Sequence, residues 1–250
     1  MKARRSQGSG PGKCQAALFS FILATIVPFA FPASGDGPLR RAELLILGTE
    51  RPSRITVGLH LELAPGWYVY WINPGDAGLS LDVTWRVPPG FVAGSLRFPT
   101  PQKFVHAGIV AYGYKEEVLI TCEIESLFPS PGARHNLTLA ALLDWMACRE
   151  SCLAGKENLE VSLREPSAAE KRKARAVQKR FASRYPRSSE AAGVAVSDVT
   201  LLKSDDEWRV EISFNGKIAA KITDFYPYPL ADFVIHHGRI VRRGTKVVVP

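Results

Sequence analysis

The sequence predicts an all-β fold, and two patterns in the 250-residue chain support this prediction. Between residues 40 and 165, short segments carry apolar side chains at every second position, which is the period of a half-buried strand. The chain's 18 prolines and 20 glycines supply turn signals between these segments. The pattern indicates roughly seven or eight short strands in about 130 residues, which fits a β-sandwich of immunoglobulin-like type.

The clearest strand covers residues 54–63, where five aliphatic residues share one face: Ile55, Val57, Leu59, Leu61 and Leu63. Residues 67–72 carry aromatic side chains on both faces, so we expect both sides of that strand to be covered. Residues 102–114 have no clear period and are interpreted as a structured loop rich in aromatics. Further strands are predicted at residues 42–47, 81–85, 91–98, 118–124, 136–147 and 159–163, with a helix over 140–146 as an alternative.

Residues 166–187 show helical spacing in place of the strand period. Ser167 and Glu170 match a capping box, and Pro186 is expected to end the helix. One face carries the apolar residues Ala174, Val177, Phe181 and Tyr185. Residues 164–187 hold nine basic and two acidic residues. We predict a basic amphipathic linker helix that packs its apolar stripe against a domain, with an anionic membrane surface as the alternative partner.

Residues 194–250 return to the strand period and predict a small or incomplete second β domain. Asn215-Gly216 is a hairpin signal within this region. Its strands are expected at residues 196–202, 208–214, 233–236, 239–242 and 246–249.

The N-terminal residues 1–34 have the composition of an export signal. An apolar run over residues 16–31 follows four basic residues, Lys2, Arg4, Arg5 and Lys13. We predict cleavage after this run and a periplasmic location, with an uncleaved membrane anchor at residues 16–32 as the alternative. Membrane contact is expected only through this segment. Because the remaining excess of positive charge lies in the helix segment, the pattern argues against a nucleic-acid partner.

Three of the four cysteines remain after the predicted signal, which contains Cys14. Cys122 has apolar neighbours in a strand pattern and is predicted to be a buried, inert core residue. Cys148 and Cys152 can form a disulfide only if their Cα atoms lie within about 7 Å. An extended chain would separate them by roughly 13 Å. We therefore predict that this pair straddles a turn, a hairpin tip or a helical turn.

The short spacing of Cys148 and Cys152 also indicates a function. A disulfide that closes so small a loop adds little chain-entropy stabilisation, which favours a bond that is made and broken in thiol–disulfide exchange. Two other classes stay open. One is a copper-handling module, in which soft thiolates bind Cu(I), with four histidines available in principle: His106, His135, His236 and His237. The other is a passive β-sandwich with a structural disulfide. No resident metal or cofactor is predicted.

Three motifs stand in order along residues 66–155. They are Gly66-Trp-Tyr-Val-Tyr-Trp-Ile-Asn-Pro-Gly-Asp-Ala-Gly78, Tyr112-Gly-Tyr-Lys-Glu-Glu-Val-Leu119 and Trp145-Met-Ala-Cys148-Arg-Glu-Ser-Cys152-Leu-Ala-Gly155. Together they resemble the N-terminal periplasmic domain of the thiol:disulfide interchange protein DsbD and its ScsB-like relatives. The best-known members of that family have a wider cysteine spacing, whereas relatives with Cys-x-x-x-Cys match this chain.

The resemblance implies an immunoglobulin-like domain, here residues 36–165, that carries a reducible cysteine pair. It implies that Cys148 and Cys152 are the catalytic residues of a thiol:disulfide oxidoreductase of the protein-disulfide reductase type. By the same resemblance, Cys152 forms the mixed disulfides. The expected partners are a membrane-embedded, DsbD-like thiol reductant and periplasmic thioredoxin-fold proteins, in processes such as cytochrome c biogenesis. Family members shield their cysteines with an aromatic loop, for which residues 104–114 are the expected equivalent.

Overall fold

The computed structural model describes residues 37–51, 53–128, 137–204, 207–217, 219–229 and 234–250. The predicted export signal at residues 1–34 and His135 lie outside these ranges. Within the described ranges, no helix combines the length and the apolar character that crossing a membrane requires.

Ten strands precede the first helix in the described residues, and they are numbered here in chain order. They are β1 (Leu39–Arg51), β2 (Arg54–Leu63), β3 (Tyr68–Gly75), β4 (Asp82–Arg86), β5 (Phe91–Ala93), β6 (Gln102–His106), β7 (Ile109–Lys115), β8 (Glu117–Ser126), β9 (Thr138–Cys148) and β10 (Cys152–Ser162). Residues 140–146 belong to β9, which pairs with β10 on one side and β4 on the other, so the helix alternative for this segment is wrong.

The strands form two antiparallel sheets that share one apolar core. The first sheet has the order β1-β2-β8-β5, and the second has the order β10-β9-β3-β7-β6 with β4 paired to β9. Alternate residues of β2 and β8 point into the core, and several are at most 1% exposed: Ile55, Val57, Leu59, Val118 and Ile120. The predicted all-β, immunoglobulin-like sandwich is confirmed.

Cys122 lies in this core on β8 and is 1% exposed. Its thiol donates a hydrogen bond to the carbonyl oxygen of Gly94 at 3.2 Å. Burial raises the pKa of the thiol to about 11, so it stays protonated at neutral pH. The prediction of a buried core cysteine is confirmed.

The interpretation of residues 102–114 as a loop is wrong, because these residues form a β-hairpin made of β6 and β7. The turn consists of Ala107 and Gly108, which both have positive φ values of 50° and 83°. Two such residues form the tight turn that suits a two-residue hairpin, although alanine is an uncommon choice there. The central residues of β7 are buried on both faces, so apolar and polar side chains do not alternate along this strand. We call β6, this turn and β7 the cover hairpin.

The strand predicted at residues 91–98 is shorter than expected. Only Phe91–Ala93 form a strand, and Arg97 adds an isolated bridge to Thr121. Gly94 lies between them, and its amide donates to the carbonyl oxygen of Glu123. The chain therefore follows the edge of β8 without forming a continuous ladder.

The predicted helix is α1 (Ala168–Phe181), and the capping box between Ser167 and Glu170 is present at its start. Three residues of the predicted stripe are buried: Ala174, Val177 and Phe181. Val177 and Phe181 pack with Leu45 and Leu119 of the first sheet. The helix ends at Phe181 and not at Pro186. The chain turns after Phe181, and the Tyr185 hydroxyl donates to the Leu119 carbonyl oxygen at 2.6 Å. The sandwich thus covers the apolar face that membrane docking would require.

A layer of charges joins α1 to the sandwich around His60, which is 1% exposed. The His60 ring lies 3.1 Å from Glu43 through Nδ1 and 2.7 Å from Glu117 through Nε2. Lys173 and Arg180 of α1 form ion pairs with the same two carboxylates. Although burial alone would raise their pKa values, these hydrogen bonds and charges lower the pKa of Glu43 and of Glu117 below the usual range.

The C-terminal region contains α2 (Ser189–Ala192) and the strands β11 (Ala195–Ser204), β12 (Glu207–Asn215), β13 (Val241–Arg243) and β14 (Lys246–Val249). They form a sheet of order β11-β12-β14-β13. The strand predicted over residues 233–236 is wrong for the described residues 234–236, which have no strand structure. A 3₁₀ turn at His237–Arg239 follows instead, with the side chain of His237 buried. Val234 is 84% exposed, so its apolar character does not reflect burial in a sheet.

Candidate redox site at a hairpin tip

Cys148 and Cys152 lie at the tip of the β9–β10 hairpin and are joined by a disulfide. Cys148 is the last residue of β9, Cys152 is the first residue of β10, and the two are direct partners in the ladder. Their Cα atoms are 4.1 Å apart. The amide of Arg149 donates to the carbonyl oxygen of Ser151 at 3.1 Å and closes the three-residue loop between them. The prediction that the pair straddles a turn is confirmed.

The two sulfurs have different access to solvent. Cys148 is buried, with 2% of its surface exposed, whereas Cys152 is exposed. An incoming thiolate must approach one sulfur directly, because exchange proceeds by attack on a disulfide sulfur. The exposed Cys152 is therefore the sulfur that a partner can reach.

The alternation of β3 explains how tyrosines come to lie beside the disulfide. Val69 and Trp71 point into the core, so Tyr68 and Tyr70 point to the outer face of the second sheet. Tyr68 is the direct ladder partner of Cys148 on one side and of Lys115 on the other. A row of paired residues thus crosses four strands, in the order Cys152, Cys148, Tyr68 and Lys115.

Tyr70 contacts the buried sulfur directly. Its hydroxyl lies 3.1 Å from Sγ of Cys148 and is the donor, because a disulfide sulfur carries no hydrogen. Burial, and then the neighbouring Tyr68 hydroxyl at 3.4 Å, raises the pKa of Tyr70 above its usual range. The phenol therefore keeps its proton at neutral pH. Gly78, with φ of 106°, makes room for this ring, because a Cβ there would overlap it.

A small apolar cluster shields Cys148 on the outer face of the sheet. We call it the tyrosine cluster, and it consists of Tyr68, Tyr70, Phe104, Ala111 and Met146 packed with Cys148. Phe104 and Ala111 come from the cover hairpin. The Phe104 ring lies 4.8 Å from that of Tyr68, and Lys115 Nζ lies 4.7 Å from the Phe104 centroid. This hairpin supplies the aromatic shield that the sequence resemblance implied for residues 104–114.

The hairpin that carries the disulfide is fixed by Trp145 and Gly155, which are ladder partners. The Trp145 ring packs against the core and lies across Gly155, where any Cβ would overlap it. The charges that the sequence placed near the cysteines are engaged in other contacts. Lys156 pairs with Asp144, and the Arg149 guanidinium lies 5.3 Å from the Trp67 ring centroid.

Among the described residues, the structure does not group the proposed copper ligands with the cysteines. His106 is on the cover hairpin, and His237 is buried against Tyr112. His135 lies outside the described ranges. Within those ranges, the side chains with metal-ligand spacing are His60, Glu62 and Glu117, and no histidine is grouped with Cys148 and Cys152 to share a Cu(I) ion.

The cysteine pair is evident in the sequence, whereas local patterns assign no role to Tyr68 or Tyr70. Both tyrosines lie within the first of the three motifs. The signal that could have singled them out is the alternation of β3, which places hydroxyl-bearing rings on one face and Val69 and Trp71 on the other. Their contact with Cys148 joins residues 78 positions apart, which periodicity does not reveal.

The fold and the hairpin disulfide together define a thiol–disulfide interchange module. Residues 44–163 match the family described as thiol:disulfide interchange protein DsbD, N-terminal. A search of curated protein sequences gave no match.

Solved structures with a similar fold include the N-terminal periplasmic domain of ScsB from Proteus mirabilis. It is 21% identical with a TM-score of 0.54, and the match covers 78% of this chain and 72% of that chain. The DsbD N-terminal domain of Neisseria meningitidis, in the reduced form, is 12% identical with a TM-score of 0.35 over 54% of this chain and 90% of that chain. The first of these likenesses supports the sandwich fold.

Proposed function

We propose that this protein exchanges dithiol and disulfide with partner proteins through Cys148 and Cys152, as a periplasmic relay module. In this proposal, residues 36–165 are the exchange domain, residues 166–187 link it to a second β unit at 194–250, and residues 1–34 direct export. The observation that supports it best is a disulfide with one exposed sulfur and one buried sulfur that accepts a hydrogen bond from Tyr70.

The chemistry follows from this asymmetry. A partner thiolate attacks Sγ of Cys152, the bond between Cys152 and Cys148 breaks, and its electron pair leaves on Cys148 as a thiolate. Tyr70 donates a hydrogen bond to that thiolate and stabilises the leaving group. A second thiolate of the partner then attacks the partner's own sulfur in the mixed disulfide and releases Cys152. The partner is oxidised by two electrons and this chain is reduced.

The same steps in reverse pass the electrons onward. The Cys152 thiolate attacks a disulfide of an acceptor, and Cys148 resolves the mixed disulfide, so that the acceptor leaves as a dithiol. We propose a membrane-embedded thiol reductant as the donor and thioredoxin-fold proteins as acceptors. The match of residues 44–163 to the DsbD N-terminal family supports partners of this redox class.

Trapping of mixed disulfides tests the proposal. Cys148→Ser should leave Cys152 free to attack and accumulate a stable mixed disulfide with an oxidised thioredoxin-fold protein, seen on a non-reducing gel. Cys152→Ser should give none, and Cys122→Ser, a matched change of a buried thiol, should behave like wild type. Equal trapping by both single variants would contradict the assigned roles. A purified protein that binds Cu(I) in one-to-one ratio and fails to exchange would overturn the function itself.

A further inference from the structure

We propose that a C-terminal segment braces the cover hairpin from its inner side and thereby confines thiol attack to Cys152. This segment, residues 224–229 together with 236–239, is called the brace. The inference rests on the proposed exchange function and assigns positioning roles to Tyr226, His237 and the ion pair between Lys103 and Asp224. None of these groups contacts a sulfur, and all of them act through Phe104 and Tyr68.

The two faces of the cover hairpin contact different parts of the protein. Phe104 and Ala111 are ladder partners and face outward, into the tyrosine cluster that buries Cys148. Lys103 and Tyr112 are the adjacent ladder pair and therefore face the other side. A displacement of the hairpin moves both faces together, so contacts on the inner face control how firmly Phe104 covers the buried sulfur.

The brace holds the inner face at three places. The Tyr112 ring, which is fully buried, makes edge-on contacts with Tyr226 at 5.4 Å and with His237 at 5.2 Å between centroids. Lys103 Nζ lies 3.6 Å from the carboxylate of Asp224. At the turn, the Gly238 backbone packs beside the Gly108 carbonyl oxygen, so that a Cβ at Gly238 would lie 3.7 Å from it.

The brace is itself fixed to the strand that carries the two site tyrosines. Asn73 of β3 donates a buried hydrogen bond to the Pro227 carbonyl oxygen at 2.8 Å. The Trp71 ring lies 5.1 Å from Tyr228 and 6.4 Å from Tyr226. Tyr68 and Tyr70 occupy the opposite face of the same strand. The brace thus sets the position of the cover hairpin relative to β3, and this relation buries Cys148.

The tip of the cover hairpin is also held by Asp76, which follows β3. Val110, next to the turn, is buried; its amide donates to the Asp76 carboxylate at 2.8 Å, and its carbonyl oxygen accepts from the Asp76 amide at 2.8 Å. Strand β6, which carries Phe104, is the edge strand of its sheet, and none of its residues is buried. Edge segments with little burial open locally at low free-energy cost, and contacts that restrain them dominate their stability. Weakening the brace should therefore open β6 and uncover Cys148 without unfolding the sandwich.

Thiol labelling of the reduced full-length chain tests the brace. A short pulse of N-ethylmaleimide is followed by peptide mass mapping of Cys122, Cys148 and Cys152. In wild type, Cys152 should react quickly and Cys148 slowly. Tyr226→Ala should speed labelling of Cys148 by roughly three- to tenfold, the factor expected when one aromatic pair is lost. Labelling of Cys152 and of Cys122 should not change.

Matched variants separate bracing from simple destabilisation. Tyr226→Phe keeps the ring and should keep the slow reaction of Cys148. Lys103→Met removes the ion pair with a smaller disturbance and should raise Cys148 labelling to a lesser degree. Lys246→Gln removes the ion pair with Glu211 in the C-terminal sheet, outside the brace and the cover hairpin, and should have no effect.

Labelling of the buried Cys122 measures opening of the whole sandwich in every sample. If Tyr226→Ala raises Cys122 and Cys148 labelling together, or leaves Cys148 unchanged, the brace is overturned. The labelling test is independent of the test of the proposed exchange function. That function is contradicted if wild-type protein forms no mixed disulfide with an oxidised thioredoxin-fold protein. Selective exposure of Cys148 in an exchange-competent protein supports both.

Discussion

The Tyr70 hydroxyl lies 3.1 Å from Sγ of Cys148, and it is a hydrogen-bond donor to the buried sulfur of the disulfide. A donor at this position has more effect on a thiolate than on a disulfide, because hydrogen bonds to a charged acceptor are stronger. Tyr70 therefore favours the reduced state of the buried sulfur and makes Cys148 the better leaving group. The proton stays on Tyr70 because burial raises its pKa.

We predict that Tyr70→Phe slows reduction of the disulfide. Loss of one hydrogen bond to a charged sulfur should reduce the rate by about tenfold. The measurement is the second-order rate of reduction by dithiothreitol, followed by the shift in intrinsic fluorescence or by quenched mass mapping. Tyr68→Phe is the control, because its hydroxyl reaches Tyr70 and not the sulfur, and its effect should be smaller. Equal rates for wild type and Tyr70→Phe would contradict the role.

We predict that Gly155→Ala destabilises the hairpin that carries the disulfide. A methyl group at this position overlaps the Trp145 ring, which must move out of its place against the core. Overpacking of this kind costs about 1–3 kcal/mol in the free energy of unfolding. Urea denaturation measures the loss. Ala154→Ser, on the neighbouring exposed residue, should unfold at the wild-type midpoint, and a similar shift for both variants would rule out the ring overlap as the cause.

We predict that acid loosens the contact between α1 and the first sheet. The pKa values of Glu43 and Glu117 are lowered in the folded protein, so their contribution to stability is present above the ordinary value of 4.5 and is lost as pH falls below it. Protonation removes the charge that Lys173 and Arg180 contact. Limited proteolysis within α1, followed from pH 6 to about pH 3, should become faster.

A variant of one carboxylate provides the control for this pH dependence. Glu117→Gln keeps the shape of the side chain but has no proton to gain, so α1 should be less protected at pH 6 and should change less on acidification. A pH profile identical to that of wild type would show that Glu117 does not contribute.

We predict that Phe181→Ala detaches α1 from the sandwich. Phe181 is 1% exposed and packs with Leu45 and Leu119, and removal of such a ring costs about 3–5 kcal/mol. Tyr185→Phe, which loses only the hydrogen bond to Leu119, should cost about 1 kcal/mol. Guanidinium denaturation gives both values. A smaller loss for Phe181→Ala than for Tyr185→Phe would mean that the hydrogen bond, and not apolar burial, docks the helix.

Much of the scaffold could be predicted from local patterns. The alternation in β2, the capping box of α1 and the turn between the cysteines each involve residues within a few positions of one another, and short-range periodicity reports them directly. The same reasoning placed Cys122 in the core, because its neighbours on β8 are apolar at every second position.

The features that sequence reasoning missed depend on contacts between distant residues. Strand β7 of the cover hairpin has no period of two because it is buried on both faces, and the turn of the hairpin uses Ala107 in a conformation that alanine rarely adopts. Tyr226 lies in a segment without regular structure, so no pattern indicates that it packs on Tyr112. The role of Tyr70 depends on pairing between β3 and β9, which only the folded chain establishes.

The pairing of Cys148 with Cys152 in one ladder limits how long any partner can stay attached. Ten further residue pairs hold β9 against β10, so the two sulfurs stay neighbours after the bond between them opens. Attack by Cys148 on a mixed disulfide is then intramolecular and has a high effective concentration. In the proposed exchange, Cys148 would expel a partner that lacks a second thiol by re-forming its bond with Cys152. A partner with two cysteines can release itself as a disulfide, so the proposed exchange favours dithiol proteins over monothiol proteins.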